Sequence, residues 1–345
     1  MIYSPLERPL VHETGQTNPA TLGGNFLKEL IIGTNDAGQR LDRFVSKAVP
    51  SLPSSLLQKY IRLKRIKLNG KGAARETRLK AGDILQLYLN DEFFSQPDPD
   101  SAYRRIAEPR LHVVYEDQNI LLADKAPGMP VHPDAQEATN TLIAHIQSYL
   151  FQKGDWNPER ENAFTPALCN RIDRNTGGLV IAAKNAEALR IVNRKIKDRE
   201  MKKFYLCVVY GTPRPASGCL EGYIRKDAAK NRVTVMTRPA PGARKAITIY
   251  RTLSSKDGLS LLECQLITGR THQIRAQLSA AGHPLLGDGK YGSGVQNRAR
   301  KQNRQALLAW KLEFVFRTPA GSLEYLNGAS FQTDDTKFRR EYFPV

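Results

Sequence analysis

The 345-residue sequence predicts an α+β fold with a mixed or antiparallel sheet, preceded by a smaller α+β module. Three observations carry this. After Leu111, strand-like apolar alternation dominates and helical periodicity interrupts it only occasionally. Ahead of it, residues 38–89 read as two helices followed by short strands. Between them, DEFFSQPDPDSAYRRIAEPR has the Asp, Pro and Ser content of a linker. The resulting division is an arm over 1–30, loosely ordered by composition, a small module over 31–92, a linker over 93–108 and a larger domain over 109–345.

In the small module, GQRLDRFVSKAV sets Leu41, Phe44, Val45 and Ala48 at helical spacing. SSLLQKYIRLKR offers a serine cap and then Leu56, Leu57, Tyr60 and Ile61 on one face. IKLNGKGA enters an Asn69-Gly70 turn, and AGDILQLYL closes the module as an alternating strand. From Lys59 to Lys80 nine Lys or Arg residues accompany one acidic residue, Glu76. A charge run is ordinarily a solvated helix face. This one continues from helix through turn into strand, which favours a docking face.

In the larger domain, LHVVYEDQNILLADKA reads as a hairpin turning at Asp117-Gln118, and KKFYLCVVYG as a central strand. AITIYRTLSSKDGLSLLECQLITG forms a second hairpin about Asp257-Gly258. Two helices interrupt, NAEALRIVNRKIKDRE and THQIRAQLSAAGH, the latter ending at Gly282 as a cap.

The formal charge of +18 implies a polyanionic partner, nucleic acid first, without separating RNA from DNA. No amphipathic helix with a basic face and large aromatics supports a membrane partner, and no apolar run of roughly 18 residues predicts a span. Cys169, Cys207, Cys219 and Cys264 form no CxxC pair. With no secretory signal at the N-terminus, they read as reduced, mostly buried thiols of a cytoplasmic protein. There is no P-loop, GxGxxG, HExxH or GxSxG, and the six histidines lack metal-ligand spacing. Neither a metal nor a nucleotide cofactor is expected. A monomer is the default, since no long apolar surface repeat is visible.

Three polar clusters could carry chemistry. In ALCNRIDRNTGGLVIAAKN, Arg171 and Asp173 are two residues apart and share a side if extended. The Gly177-Gly178 pair permits a sharp turn or close approach by a ligand backbone, and the apolar run after it anchors the loop. An aspartate among guanidinium groups suits a nucleophile better than a general acid, while a structural Arg–Asp salt bridge is the competing reading. In ITGRTHQIRAQLSAAGHPLLGDGKYG, a helix opened by Thr271 puts His272, Arg275 and Ser279 on one face and Ile274 and Leu278 on another. His272 alone would be a cap or a core hydrogen-bonding residue. Tyr205 in KKFYLCVVYG is ordinarily core, or a ring that stacks on an extruded base.

RIDRNTGGLVIAAKN resembles the signature of the RluA-type pseudouridine synthases, usually H-R-L-D-x-x-T-S-G-L before an apolar strand. VVYEDQNILLADKAPGMPVHP, KKFYLCVVYG and TGRTHQIRAQLSAAGHPLLGDGKYG follow in family order. Residues 38–89 resemble an S4 RNA-binding domain, so the likeness covers most of 38–318. The resemblance implies an RNA pseudouridine synthase without a cofactor, acting on structured RNA, most readily large-subunit ribosomal RNA. A transfer-RNA synthase and a non-catalytic ribosome-assembly factor stay open as alternatives. By position, Asp173 matches the catalytic aspartate, Tyr205 the stacking tyrosine and Arg275 the arginine paired with the aspartate. Arg171, Thr176, Arg270 and His272 are the implied substrate contacts. Lys59, Arg62, Lys64, Arg65 and Lys67 are those of the S4-like module with RNA. Asn170, Ile172 and Gly177 depart from the usual histidine, leucine and serine, and Leu308 stands where histidine is frequent.

Overall fold

A computed structural model of the chain describes residues 26–94, 101–227 and 229–343. Most of the expected arm, residues 1–25, and the linker segment 95–100 lie outside the described residues. Two compact units divide the chain, Met1–Asp98 with Pro158–Phe164, and Pro99–Asn157 with Thr165–Val345.

The first unit holds β1 (Phe26–Ile31), α1 (Leu41–Ala48), α2 (Ser54–Arg62), β2 (Ile66–Leu68), β3 (Lys71–Gly72) and β4 (Ile84–Leu89). Its sheet runs β1-β4-β2-β3. The helical apolar spacing does its work here: Leu41, Phe44, Val45, Leu57 and Tyr60 meet Leu85, Leu87 and Leu89 in one core. Each fully buried side chain of this kind contributes about 1.5–3 kcal/mol. Three differences from the sequence reading stand out. Phe26–Ile31 is a strand paired antiparallel to β4, although the arm was expected to reach residue 30. Pro53 occupies the cap position of α2 with no side-chain bond, so no serine caps that helix. Pro158–Phe164, far along the chain, belongs to this unit. Asn162 Nδ2 donates to Ile31 O at 2.7 Å and to Asp36 Oδ2 at 2.9 Å, and Asn35 Nδ2 to Glu161 Oε1 at 2.8 Å.

The second unit is built on one mixed sheet. Its strands are β5 (His112–Glu116), β6 (Ile120–Lys125), β7 (Ala167–Leu168), β8 (Gly177–Ala183), β9 (Met201–Tyr210), β10 (Ser217–Asp227), β11 (Arg232–Met236), β12 (Ala243–Lys256), β13 (Leu259–Leu266), β14 (Leu307–Phe314) and β15 (Ser330–Gln332). The order is β11-β10-β12-β13-β9-β14-β8-β6-β5, with β7 on β8 and β15 on β14. Both expected hairpins form, and β9 is central. Asp117 Oδ1 accepts from the Asn119 and Ile120 amides in the first turn, while Asp257 and Gly258 take positive φ in the second.

Helices α3 (Leu142–Lys153), α4 (Ala186–Lys197), α5 (Gln273–Ala280), α6 (Gly294–Ala299) and α7 (Thr336–Tyr342) complete the unit. The uncharged run Gly177–Ala183 is buried throughout because both faces of β8 are covered. Val180 and Ala182 pack with Ile146 of α3 and Ile274 of α5. Leu179, Ile181 and Ala183 pack with Ala188 and Val192 of α4. Helix α3 lacks a one-sided stripe because most of its circumference is buried, and Thr141 caps it by accepting from the Ala144 amide. Residue 103 of the expected linker is core: Tyr103 packs edge-on against Trp156 at 5.1 Å. Cys207 and Cys264 are buried, Cys169 is half-buried and Cys219 is exposed.

Candidate active site

The loop before β8 and the start of α5 create the site. Gly178, at φ +106°, enters β8 where that strand runs parallel to β14. A Cβ there would lie 2.1 Å from the Ala309 carbonyl oxygen, so only glycine lets the two backbones meet. The close approach at Gly178 is that of β14. Asn170 reinforces the turn, its Oδ1 accepting from the Ile181 amide at 2.8 Å.

Asp173 is held by neither neighbouring arginine. Arg171 is exposed, and Arg174 Nη2 donates to both carboxylate oxygens of Asp134 at 2.6 Å. The partner is Arg275, whose Nη1 donates to Asp173 Oδ2 at 2.7 Å. The rest of that guanidinium grips Asp288, with Nε to Oδ2 at 2.7 Å and Nη2 to Oδ1 at 2.9 Å. Asp288 also accepts from the Lys290 and Tyr291 amides. Although burial opposes it, this set of bonds led by Arg275 holds the Asp288 carboxyl below the usual carboxylate range. The Asp173 side chain is 26% exposed and that of Asp288 0%.

Helix α5 delivers the polar face that its spacing anticipates. Arg275 and His272 reach the Asp288–Tyr291 loop, as does Ser279, whose hydroxyl donates to Tyr291 O at 2.7 Å. Ile274 and Leu278 enter the core, and Gly282 closes the helix at φ +85°. Its beginning differs from expectation. His272, not Thr271, takes the cap position, in left-handed conformation at φ +52°. The Gln273 side chain braces this start, bonding back to the preceding turn and across to β12. Its Oε1 accepts from Thr268 Oγ1 and the Arg270 amide, and its Nε2 donates to Ile247 O and Thr248 Oγ1. Burial is the main reason the His272 pKa falls to about 4, so the ring is neutral near pH 7.

Tyr205 lies on β9, opposite Cys264 of β13 and Ala309 of β14. Burial, reinforced by the nearby charge of Asp173, raises its hydroxyl pKa. Thr176 is buried, and its Oγ1 accepts from Gln305 Nε2 at 3.3 Å, which places it in the loop's support. Arg270 is half-buried with Nε donating to Lys245 O at 3.0 Å. In the first unit, Lys59, Arg62 and Lys64 are exposed, Arg65 lies over the Tyr60 ring at 5.3 Å and Lys67 over Tyr88 at 5.0 Å.

Three side chains at the site escaped sequence reasoning. Asp288 and Tyr291 sit in the glycine-rich GDGKYG stretch, where nothing local distinguishes them from turn residues. Lys125 ends β6, buried, with Nζ donating to Ala126 O, Met129 O and Arg174 O at 3.0, 2.8 and 2.8 Å. Burial lowers its pKa to about 7, against the pull of Asp173 and Asp124. It ties the loop that carries Asp173 to the loop after β6.

Residues 119–280 match a family model described as RNA pseudouridylate synthase. An uncharacterized RNA pseudouridine synthase of Mycoplasma genitalium is 33% identical over 293 residues, covering 83% of this chain and 88% of the relative. The chain belongs to the RNA pseudouridylate synthase family. A ribosomal large subunit pseudouridine synthase D of Nitrosomonas europaea is 30% identical over 293 residues, covering 83% and 80%. Among solved structures, human RNA Pseudouridylate Synthase Domain Containing 4 shares the fold at TM-score 0.50 and 23% identity, over 64% of this chain and 87% of that one. This pseudouridine synthase therefore isomerises uridine in RNA. The fold shared with that structure sets Asp173 in the loop before β8, Tyr205 on β9 and Arg275 on α5, and it accommodates Asn170 and Gly177.

Proposed function

We propose that this synthase isomerises uridines of large-subunit ribosomal RNA, with Asp173 acting on the ribose of an extruded nucleotide. One observation carries the assignment. Arg275, anchored from behind by Asp288, aims one carboxylate oxygen of Asp173 and leaves the other uncommitted at a partly open position. The isomerisation breaks the bond from uracil N1 to C1′, turns the base and rejoins it through C5. Atoms balance with no cofactor and no activated water. Asp173 either attacks C1′ or takes the C2′ proton to give a glycal. Uracil leaves as a delocalised anion, so a second carboxylate to protonate it is unnecessary. Tyr205 stacks on the freed base and limits its escape.

Extruding a uridine costs a few kcal/mol and is easiest in loops and bulges. The exposed cations of the first unit, read as an S4-like module, contribute phosphate contacts with steep salt dependence. The ribosomal target rests on relatives such as the large subunit synthase of Nitrosomonas europaea. Asp173→Asn is expected to lower turnover by about 10³-fold or more while RNA affinity stays within a few-fold; near-normal turnover sinks the assignment. Mapping pseudouridine in total RNA with and without the gene tests the target. Loss of signal confined to transfer RNA overturns the ribosomal reading.

A further inference from the structure

Arg275 occupies only Oδ2 of Asp173, and Oδ1 faces His272 Nε2 across 4.0 Å. That gap is too long for a direct hydrogen bond. The tautomer of His272 follows from its other nitrogen. The Val233 amide donates to Tyr291 Oη at 2.9 Å, and His272 Nδ1 lies 2.8 Å from the same oxygen. With the amide proton already directed at Oη, the phenol's own proton finds its acceptor at Nδ1. Nδ1 is then unprotonated, and a neutral ring carries its proton on Nε2, the atom facing Asp173. Tyr291 is itself fixed, since its ring lies beneath the Arg232 and Arg275 guanidinium groups at 5.4 and 5.3 Å.

The site thus sets a hydrogen-bond donor, His272 Nε2–H, opposite an acceptor, Asp173 Oδ1. We propose that this pair reads the ribose 2′-hydroxyl of the target uridine, with Tyr291 as the positioning residue that fixes the donor. The inference rests on the reading of Asp173 as the group that acts on the ribose. A single hydroxyl completes both bonds, accepting from Nε2–H and donating to Oδ1. Bonds of about 2.7 and 2.9 Å span the gap with an angle of roughly 90° at the bridging oxygen. A uracil carbonyl oxygen could accept from Nε2–H but would turn lone pairs toward the carboxylate. The 2′-hydroxyl is also the one hydrogen-bond donor on a carbon next to C1′, so a carboxylate placed for attack at C1′ or for the C2′ proton has it within reach. It is the group by which a protein separates RNA from DNA.

The test is a cycle that crosses enzyme and substrate changes. Single-turnover rates and affinities are measured on an RNA stem-loop around a mapped target uridine, made with uridine or 2′-deoxyuridine at that position. Wild-type enzyme is expected to favour the ribo substrate by about 30-fold or more. His272→Ala should bring the ratio within about 3-fold by losing rate on the ribo substrate alone. His272→Gln, which retains a donor, should recover part of the preference, and Tyr291→Phe should lower it with the melting temperature near wild type. Undiminished preference in His272→Ala, with the two changes acting independently, overturns the proposal. That outcome leaves the role of Asp173 intact, whereas an active Asp173→Asn removes the reading beneath it.

Discussion

Arg275 holds two aspartates, and they differ in nearly every physical respect. Asp288 is fully buried, takes two guanidinium bonds and two backbone amides, and has little carboxylate capacity left. Asp173 takes one guanidinium bond, is a quarter exposed, and keeps an oxygen uncommitted. A saturated carboxylate fixes the arginine, and an unsaturated one can react. The arginine is therefore aimed from behind, and its remaining nitrogen transmits that aim to the open side. One charge holds both acids, because the fold puts them on opposite edges of a single planar group.

The largest expected effect separates these roles by stability. Asp288→Asn removes the anion from a buried pair and leaves Arg275 undercompensated, at a cost of about 3 kcal/mol. The melting temperature should fall and activity should fall with it, because Asp173 loses its fixed partner. Asp173→Asn should change stability by less than about 1 kcal/mol, since the carboxylate is partly solvated and gives up one bond. Thermal denaturation of both variants decides the matter. Equal losses would mean that the two aspartates are one structural unit.

The sequence made parts of this pair legible and hid others, for identifiable reasons. The i, i+3, i+7 spacing of His272, Arg275 and Ser279 states which residues of α5 face one way, because a helix fixes that geometry locally. Asp173 was visible as an acid beside a buried strand, but its neighbours Arg171 and Arg174 suggested a local salt bridge that does not form. Its true partner stands 102 residues away, a pairing set by packing of α5 on the sheet. Asp288 and Tyr291 look like turn residues, since their roles exist only once that packing brings Arg275 and His272 to them. Helix α3 was missed because helical periodicity marks a boundary between buried and wet faces, and α3 has little such boundary. Strand β1 and Pro158–Phe164 were missed as ordered parts because the backbone and side-chain bonds that order them come from distant residues.

A pH-dependent effect tests the open side alone, through His272. Its pKa in the fold is about 4, below the ordinary 6.5, chiefly because burial disfavours the imidazolium. As pH falls, the unfolded chain takes up this proton before the folded one does. The neutral ring's contribution is therefore complete above about pH 6.5 and lost progressively toward pH 4, by about 3 kcal/mol. His272→Gln removes that titration and keeps a polar side chain. Both tryptophans, Trp156 and Trp310, belong to the second unit, so urea unfolding followed by their fluorescence reports on it. Between pH 7 and 4, wild type should lose about 3 kcal/mol more than the variant. Asp288, with its pKa below 3.8, should give up its contribution only at still lower pH, in both proteins alike. Parallel curves for wild type and variant over that window would mean that His272 titrates in the fold near its ordinary 6.5, as in the unfolded chain, and that its ring is protonated over most of that window. The donor that faces Asp173 would then be an imidazolium, with a proton on each nitrogen and no tautomer for Tyr291 to select.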